Sequence, residues 1–415
     1  MPVAPGENMW HPVSLTEAQD ASVNGVPCTA DTPAPKILLY SHDTFGLGNI
    51  RRTMLLSSML AEEYPLGSLL VVTGSPMIQA FRIPHGVDYI KLPCVDRIDA
   101  DRFRPKFLAD AATAVSGIRQ AILRHTAVDF QPDLLIVDKR PGGVGGELLD
   151  ALRALRRGGH VAKVVLGMRD ILDAPERTRA SFKITRDLTI IGRYYDEVWI
   201  YGEQSVFDAV KEYAFPQDVA RKTRFCGYLQ RPTQPSPNHD GPPRVLVTTG
   251  GGEDGAELIT AYLEGLMTLP RSVALETTVV LGPQLASNSR DDILRRFGAM
   301  SDVTFLDFVG DLTSHYAAAN LVVSMAGYNT VCELLSFGRR AVLVPRAQPT
   351  TEQLFRARLL AERGYFDLVE PSDLTPGRLI AKVVAGLQRA APSPMLIDGL
   401  TRVRQRVRTL LARPA

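Results

Sequence analysis

The sequence has few cysteines and no excess of charge of either sign. Only 4 cysteines occur among 415 residues, without C-x-x-C spacing and without a histidine close enough to complete a zinc motif. The 47 Lys and Arg residues are balanced by 45 Asp and Glu residues, unlike the composition of a protein whose main task is to bind nucleic acid. A disulfide scaffold, a cysteine-based metal site and a nucleic-acid partner are therefore not expected.

The sequence also lacks long apolar runs. None reaches the roughly 18 residues of a membrane span, and the first 35 residues are polar and proline-rich, without the basic start and apolar stretch of a secretory signal. With 45% hydrophobic and 22% charged residues, the composition is that of a globular protein long enough for two or three domains. We expect a cytoplasmic protein, with peripheral contact at the inner face of the membrane as a further option.

After a polar tail, residues 1–35, the sequence predicts a parallel α/β domain over residues 36–229. Short apolar runs recur at spacings that leave room for a crossover helix between them. These runs are Lys36 to Tyr40, Leu69 to Thr73, Asp133 to Asp138, Lys163 to Leu166 and Glu197 to Tyr201.

A proline-rich stretch, residues 230–243, predicts a linker, and the same plan restarts after it over residues 244–392. Apolar runs beginning near 244, 277, 303, 320 and 341 predict a second parallel sheet. The predicted fold is α/β, with two doubly wound, Rossmann-like parallel-sheet domains facing across a cleft.

Residues 393–415 predict an amphipathic helix with basic residues. Leu and Val recur there at helical spacing, and arginines lie between them. Packing of the apolar stripe on the protein is the favoured interpretation, and contact with anionic lipid or nucleic acid is the alternative.

A glycine loop follows the first predicted strand of each domain. Glycines let main-chain amides approach a ligand, and a helix that begins after the loop favours an anion. The first loop departs from the dinucleotide fingerprint because Arg51 replaces its last glycine, and the strand that ends at Thr73 carries no acidic residue for a ribose. A nicotinamide enzyme is therefore not favoured. The loop glycines are Gly46 and Gly48 in the first loop and Gly250, Gly251 and Gly252 in the second.

The longest motif runs from Ser324 to Gln353. It reads as a strand, a Ser-x-x-Gly turn that ends at Gly327, a helix that carries Glu333, a second strand, and the pair Glu352-Gln353. Because a helix begins after the turn, the amides of the next three residues are expected to point at a diphosphate. Glu333 lies one turn further and can accept hydrogen bonds from ribose hydroxyls. The three residues after the turn are Tyr328, Asn329 and Thr330.

This motif resembles the nucleotide-sugar signature of the two-domain GT-B glycosyltransferases of family 28, in particular the peptidoglycan member that transfers N-acetylglucosamine to a lipid-linked acceptor. The resemblance implies inverting transfer from a nucleotide sugar, a UDP-sugar in the matching members. The donor would be held by the C-terminal domain, and a small-molecule or lipid-linked acceptor by the N-terminal domain, where Gly46, Gly48 and Arg51 belong to the acceptor-side loop. It also implies that the enzyme uses neither a cofactor nor a metal.

Several further residues take roles from the same resemblance. Residues 250–252 match the first glycine loop of the donor domain, and Glu352 and Gln353 stand where the family recognises sugar hydroxyls. Arg231 matches an arginine that approaches the donor phosphates. The segment that cradles the base is matched by Phe308, Val309 and Leu312.

The first loop differs from the family at one position. The family carries a histidine there, proposed as the base that activates the acceptor, whereas this chain has Asn49, which cannot take up a proton at neutral pH. Candidate bases are His42 and Asp43 on the same loop, and Asp138 at the end of a strand. His42 is the preferred hypothesis because imidazole titrates near neutrality, and Asn49 would then orient it.

Other interpretations remain open at this point. Asp99 and Asp101 match the metal-holding D-x-D pair of single-domain glycosyltransferases, but arginines surround them and a solvated loop is the expectation. A nucleotide-sugar 2-epimerase shares this fold and donor signature without needing an acceptor. A nucleotide-sugar-binding protein without catalysis is the third candidate, favoured by Asn49.

Overall fold

The computed structural model describes residues 34–42, 48–98, 102–108, 111–229, 241–270, 272–389 and 397–412. Most of the predicted tail and most of the predicted linker lie outside these ranges. The same holds for the predictions that concern Asp43, Gly46, Asp99, Asp101 and Arg231.

The N-terminal sheet is built from the apolar runs that the sequence predicts, with two further strands at its edges. Seven parallel strands lie in the order β3-β2-β1-β6-β7-β8-β9, and β4 and β5 form a separate antiparallel hairpin. The central strands are buried on both faces, which is typical of parallel sheets covered by helices. The strands are β1 Lys36–Ser41, β2 Ser68–Thr73, β3 Val87–Lys91, β4 Val95–Arg97, β5 Phe103–Pro105, β6 Leu134–Asp138, β7 Lys163–Arg169, β8 Glu197–Tyr201 and β9 Thr223–Phe225.

Helices connect these strands and cover the sheet. They are α1 Gly48–Glu63, α2 Ala112–Phe130, α3 Leu149–Arg157, α4 Pro175–Thr185, α5 Asp187–Tyr194, α6 Ala209–Glu212 and α7 Gln217–Lys222.

The C-terminal domain repeats the plan with six parallel strands in the order β12-β11-β10-β13-β14-β15. Its strands are β10 Arg244–Thr248, β11 Glu276–Val280, β12 Val303–Leu306, β13 Leu321–Ser324, β14 Arg340–Leu343 and β15 Asp367–Leu368. Its helices are α8 Ala256–Met267, α9 Ser287–Phe297, α10 Thr313–Ala318, α11 Tyr328–Phe337, α12 Glu352–Glu362 and α13 Pro376–Gln388, and α14 Gly399–Leu411 follows.

Strand order reverses beside the first strand of each sheet, between β1 and β6 and between β10 and β13. At such a switch point the connections leave in opposite directions, so a crevice opens at the carboxyl ends of the two strands. The glycine loops at Gly48 and Gly250 and the turn at Gly327 all lie at these ends. Topology thus gathers the predicted motifs into two crevices.

The two domains pack directly on each other. One hydrophobic cluster contains Leu60 of α1, Val331 of α11 and Val403 of α14, so it continues from one domain to the other. Asp170, just after β7, receives three hydrogen bonds from Arg356 of α12, at 2.7, 3.1 and 3.2 Å. Both side chains of this interdomain ion pair are almost fully buried.

Helix α14 returns to the N-terminal domain. Val403 and Val407 are buried, as the favoured interpretation of the basic segment predicts. The arginines between them face carboxylates of the N-terminal domain: Arg406 pairs with Glu197, and Arg404 approaches Glu63 at 3.3 Å. These arginines are therefore engaged within the protein.

Candidate functional site

A cleft of about 190 Å³ lies between the two domains, where both switch points meet. Its C-terminal wall includes a glycine loop and the start of a helix. Residues 250–252 follow β10, and Gly327 to Thr330 form the turn into α11. Gly252 has φ +93°, and a Cβ there would lie 2.5 Å from the Leu281 carbonyl oxygen, so only glycine fits. The predicted donor turn and glycine loop are thus brought together on one wall.

The N-terminal wall consists mainly of charged side chains. Parallel strands end at the same edge of their sheet, so the residues that follow β6 and end β7 reach this wall together. The N-terminal cations on the cleft are Arg51, Arg52, Lys139, Arg140 and Arg169. Across from them, Arg346 of the C-terminal domain pairs with Asp254 at 3.1 Å.

His42 and Asn49 lie side by side on the cleft. Nδ2 of Asn49 is 3.4 Å from Nε2 of His42, and Oδ1 of Asn49 accepts a hydrogen bond from Arg52 at 3.0 Å. Asn49 is therefore placed to orient the imidazole. Burial lowers the pKa of His42 well below its usual 6.5, and the positive charges of Arg140 and Lys139 lower it further. His42 is consequently neutral at pH 7.

Asp138 was predicted as a candidate base, but its position does not favour that role. Arg52 donates to both of its carboxylate oxygens, at 2.7 and 2.8 Å, and Asp138 is not part of the cleft wall. Because its oxygens hold the guanidinium that also contacts Asn49, the geometry fits a positioning residue better than an acid–base group.

Glu352 lies on the cleft, but its carboxylate also joins the two domains. Oε1 accepts from Arg169 of the N-terminal domain at 2.7 Å and from Arg356 of its own helix at 2.9 Å. Burial alone would raise the pKa of Glu352, but these two positive charges outweigh burial and lower the pKa to about 2. Gln353, its neighbour, also lines the cleft. The predicted sugar contact thus coincides with an interdomain ion pair.

Glu333 does not line the main cleft. It lies in a small adjoining pocket with Arg51, Asn329 and Cys332. Helix α1 of the N-terminal domain forms the opposite side of this pocket. The ribose role of Glu333 stays a prediction.

Four other predicted donor residues also lie off the cleft wall. Ser324 is buried and donates to the neighbouring Met325 carbonyl at 2.8 Å. Leu312 packs in the hydrophobic core. Phe308 and Val309 are half-buried in the connection between β12 and α10, outside the residues that line the cleft.

Sequence reasoning singled out Arg51 but missed the other four cations of the N-terminal wall, which are Arg52, Lys139, Arg140 and Arg169. The signal was present, because Lys139 and Arg140 directly follow the predicted strand that ends at Asp138. This position alone does not indicate a site, because basic residues often follow strands and the sequence does not show which strand lies beside this one. Arg169 and Arg356 gave no local signal.

Within the described ranges, no group of three or more His, Cys, Asp or Glu side chains has the arrangement of a metal site. In the same part of the chain, no helix combines the length and apolarity that crossing a bilayer requires.

Comparison with known proteins identifies the C-terminal wall. Residues 245–395 match the glycosyltransferase family 28 C-terminal domain. This match is confined to the C-terminal domain. A Haemophilus influenzae UDP-N-acetylglucosamine--N-acetylmuramyl-(pentapeptide) pyrophosphoryl-undecaprenol N-acetylglucosamine transferase is 30% identical over 139 residues, which make up 33% of this chain and 37% of that relative. The match to this curated relative therefore spans well under half of its length.

Solved structures extend the likeness to the fold of both domains. MurG from Acinetobacter baumannii is 17% identical with a TM-score of 0.55, and the match covers 90% of this chain and 100% of MurG. A Listeria monocytogenes structure described as a UDP-N-acetylglucosamine 2-epimerase is 13% identical with a TM-score of 0.59, covering 90% and 96% of the two chains. The predicted GT-B fold and the family 28 resemblance are confirmed. At these identities the likeness concerns the fold, which a transferase and an epimerase share.

Proposed function

We propose that this protein is an inverting glycosyltransferase that moves a sugar from a UDP-sugar to an acceptor hydroxyl in the interdomain cleft. The observation that carries the proposal is the convergence of a family 28 donor domain with a histidine-bearing wall at one cleft. A protein that only binds the nucleotide sugar would need the donor domain but not the histidine-bearing wall. The acceptor is a small molecule or a lipid-linked sugar, and peripheral contact with the inner face of a membrane would accompany the lipid-linked case.

The donor is held by the C-terminal wall. Main-chain amides of Tyr328, Asn329 and Thr330 begin α11 and favour the diphosphate, because the first amides of a helix lack partners within the helix. Gln353 lies on the same wall for contact with the sugar. As the sugar departs, negative charge grows on the diphosphate, and these fixed dipoles stabilise it.

The acceptor is activated from the N-terminal wall. Its hydroxyl displaces Nδ2 of Asn49 from Nε2 of the neutral His42 imidazole, gives its proton to that nitrogen, and attacks the anomeric carbon from the face opposite the diphosphate. One carbon–oxygen bond forms while the bond to the diphosphate oxygen breaks, and UDP leaves with the electron pair. Asn49 and Arg52 hold the imidazole in position.

Incubation of the full chain with UDP-N-acetylglucosamine tests this proposal, with and without lipid-linked and soluble sugar acceptors. We expect UDP release only when an acceptor is present, and a product of inverted configuration. An isomerised nucleotide sugar formed without acceptor would instead indicate a 2-epimerase. Binding without turnover of any acceptor would indicate a binding protein.

The same assay addresses metal dependence. We expect turnover to persist in excess chelator because helix amides and arginines neutralise the leaving diphosphate. Loss of turnover that magnesium or manganese specifically restores would contradict this mechanism and return Asp99 and Asp101 to consideration.

A further inference from the structure

Two helices begin at the same point of the cleft, one from each domain. The first residue of α1, Gly48, accepts a hydrogen bond through its carbonyl from Nδ2 of Asn329, the second residue of α11, at 3.0 Å. Neither helix has an acidic residue in its first turn. Each helix N-terminus carries a partial positive charge, so their approach is unfavourable unless an anion lies nearby.

Arg51, in the first turn of α1, adds a full positive charge at this point. Its side chain lines both the cleft and the small pocket beside Asn329 and Glu333. Arg51 is only 9% exposed, and its Nε has no hydrogen-bond partner. In the part of the chain that the structure describes, it forms no ion pair. A mostly buried arginine that forms no ion pair is costly, whereas the neighbouring Arg52 is held by Asp138.

We propose that Arg51 binds the diphosphate of the nucleotide sugar from the N-terminal domain, opposite the start of α11. This inference rests on the proposed function and changes the role of Arg51, which the sequence placed on the acceptor side. The diphosphate lies between two helix N-termini and receives charge-assisted hydrogen bonds from the guanidinium. The donor site is thus formed by residues of both domains, and Arg51 stabilises the charge that develops on the leaving UDP.

The chemistry explains why arginine suits this position. A guanidinium presents several donors in a fixed plane and is always charged, so it can bridge oxygens of two linked phosphates. Without ligand the same charge destabilises the fold, because it is buried away from water. A binding residue of this kind should therefore show opposite effects on affinity and on stability, which a merely structural arginine would not.

Calorimetry with UDP, UMP and uridine tests the proposal on the full chain. We expect Arg51→Gln to raise the Kd for UDP by roughly 10- to 100-fold, as for the loss of charge-assisted hydrogen bonds, and to change uridine binding by less than about twofold. The change in Kd for UMP should lie between the changes for UDP and for uridine. In the absence of nucleotide, the thermal midpoint of Arg51→Gln should equal or exceed that of the wild type.

Arg157→Gln provides a matched control, because Arg157 is an exposed arginine of α3 in the same domain. It should leave all three affinities unchanged. Equal loss of uridine and UDP binding in Arg51→Gln, together with a lowered thermal midpoint, would assign Arg51 a structural role and overturn the proposal. Unchanged UDP affinity with a raised KM for the acceptor would overturn it in favour of an acceptor contact. If wild type binds none of the nucleotides, the proposed function itself fails, and the role of Arg51 fails with it.

Discussion

The two walls of the cleft carry different groups. The C-terminal wall combines glycines and the start of a helix with polar side chains such as Gln353 and the paired Arg346 and Asp254, so its ligand would meet main-chain amides as well as side chains. The N-terminal wall presents an imidazole and five cationic side chains, several of which are held by hydrogen bonds. Backbone recognition suits a group common to many ligands, such as a diphosphate, whereas side chains can be exchanged to suit a particular acceptor. The comparison therefore places the chemistry specific to this chain on the N-terminal wall.

A buried ion pair between Asp170 and Arg356 joins the two domains, and breaking it should have the largest effect. Asp170→Ala removes one of the two carboxylates that pair with the buried Arg356 and leaves only Glu352, so we expect a loss of about 3 kcal/mol in the free energy of unfolding, the lower end of the range for breaking a buried ion pair. Denaturant titration measures this loss. The exposed pair of Arg290 and Asp307 is a matched control, since Asp307→Ala should cost less than about 1 kcal/mol. If the two substitutions lowered the free energy of unfolding equally, the interdomain ion pair would contribute no more to stability than an exposed pair.

Removal of the imidazole tests the chemistry of the N-terminal wall. His42→Ala should lower kcat by roughly 10²-fold or more, which is typical of the loss of a general base, while the affinity for UDP stays nearly constant. Steady-state kinetics with calorimetry separates the two quantities. Asn49→His in the His42→Ala background should restore part of the rate, because the two side chains are neighbours on the cleft. A full rate in His42→Ala would exclude His42 as the base.

On the C-terminal side we expect a substitution to lower the affinity for the donor. Glu333→Ala should weaken binding of the nucleotide sugar by about 1.5 to 3 kcal/mol, because a charged acceptor of the ribose hydrogen bonds is lost. The exposed Glu257 of α8 provides the control, and Glu257→Ala should leave affinity unchanged. Unchanged affinity in Glu333→Ala would place the ribose elsewhere, consistent with the position of Glu333 outside the main cleft.

The pH dependence should show the smallest effect. Because the pKa of His42 is lowered well below 6.5, the base stays neutral through pH 6.5, and the acidic limb of kcat/KM should lie below that value. As the pH falls, His42 takes up a proton at a higher pH in the unfolded chain than in the folded chain. The free energy of unfolding should therefore fall as pH drops below about 6.5, and His42→Gln should reduce this slope. An acidic limb at or above 6.5 would show that another group controls the rate.

The unequal predictability of the two walls has a physical cause. Much of the C-terminal wall comes from one contiguous stretch, Ser324 to Gln353, in which strand, turn and helix follow one another. Local pattern therefore predicted part of this wall, although Ser324 and Glu333 lie off the main cleft. The ion pairs of the N-terminal wall join residues far apart in sequence. Arg52 and Asp138 are 86 positions apart, and Arg356 and Asp170 are 186 apart. With 47 basic and 45 acidic residues, no local rule assigns such partners.

Local pattern also predicted strands better than it predicted contacts of side chains. The run Glu197 to Tyr201 is observed as β8 with the predicted bounds, and the parallel pairing of the strands agrees with the alternation of strands and helices in the sequence. Ser324, by contrast, is at the predicted strand end but turns its hydroxyl to its own backbone. Which side chains reach a cleft depends on how two domains meet, and the sequence of one domain carries no record of that.

A crystal structure of the full chain with UDP tests the assignment of the cleft most directly. We expect the diphosphate between the first turns of α11 and α1, within hydrogen-bonding distance of the main-chain amides of residues 328–330. UDP bound outside this cleft, or inside it with its diphosphate remote from the start of α11, would contradict the donor site proposed for this protein.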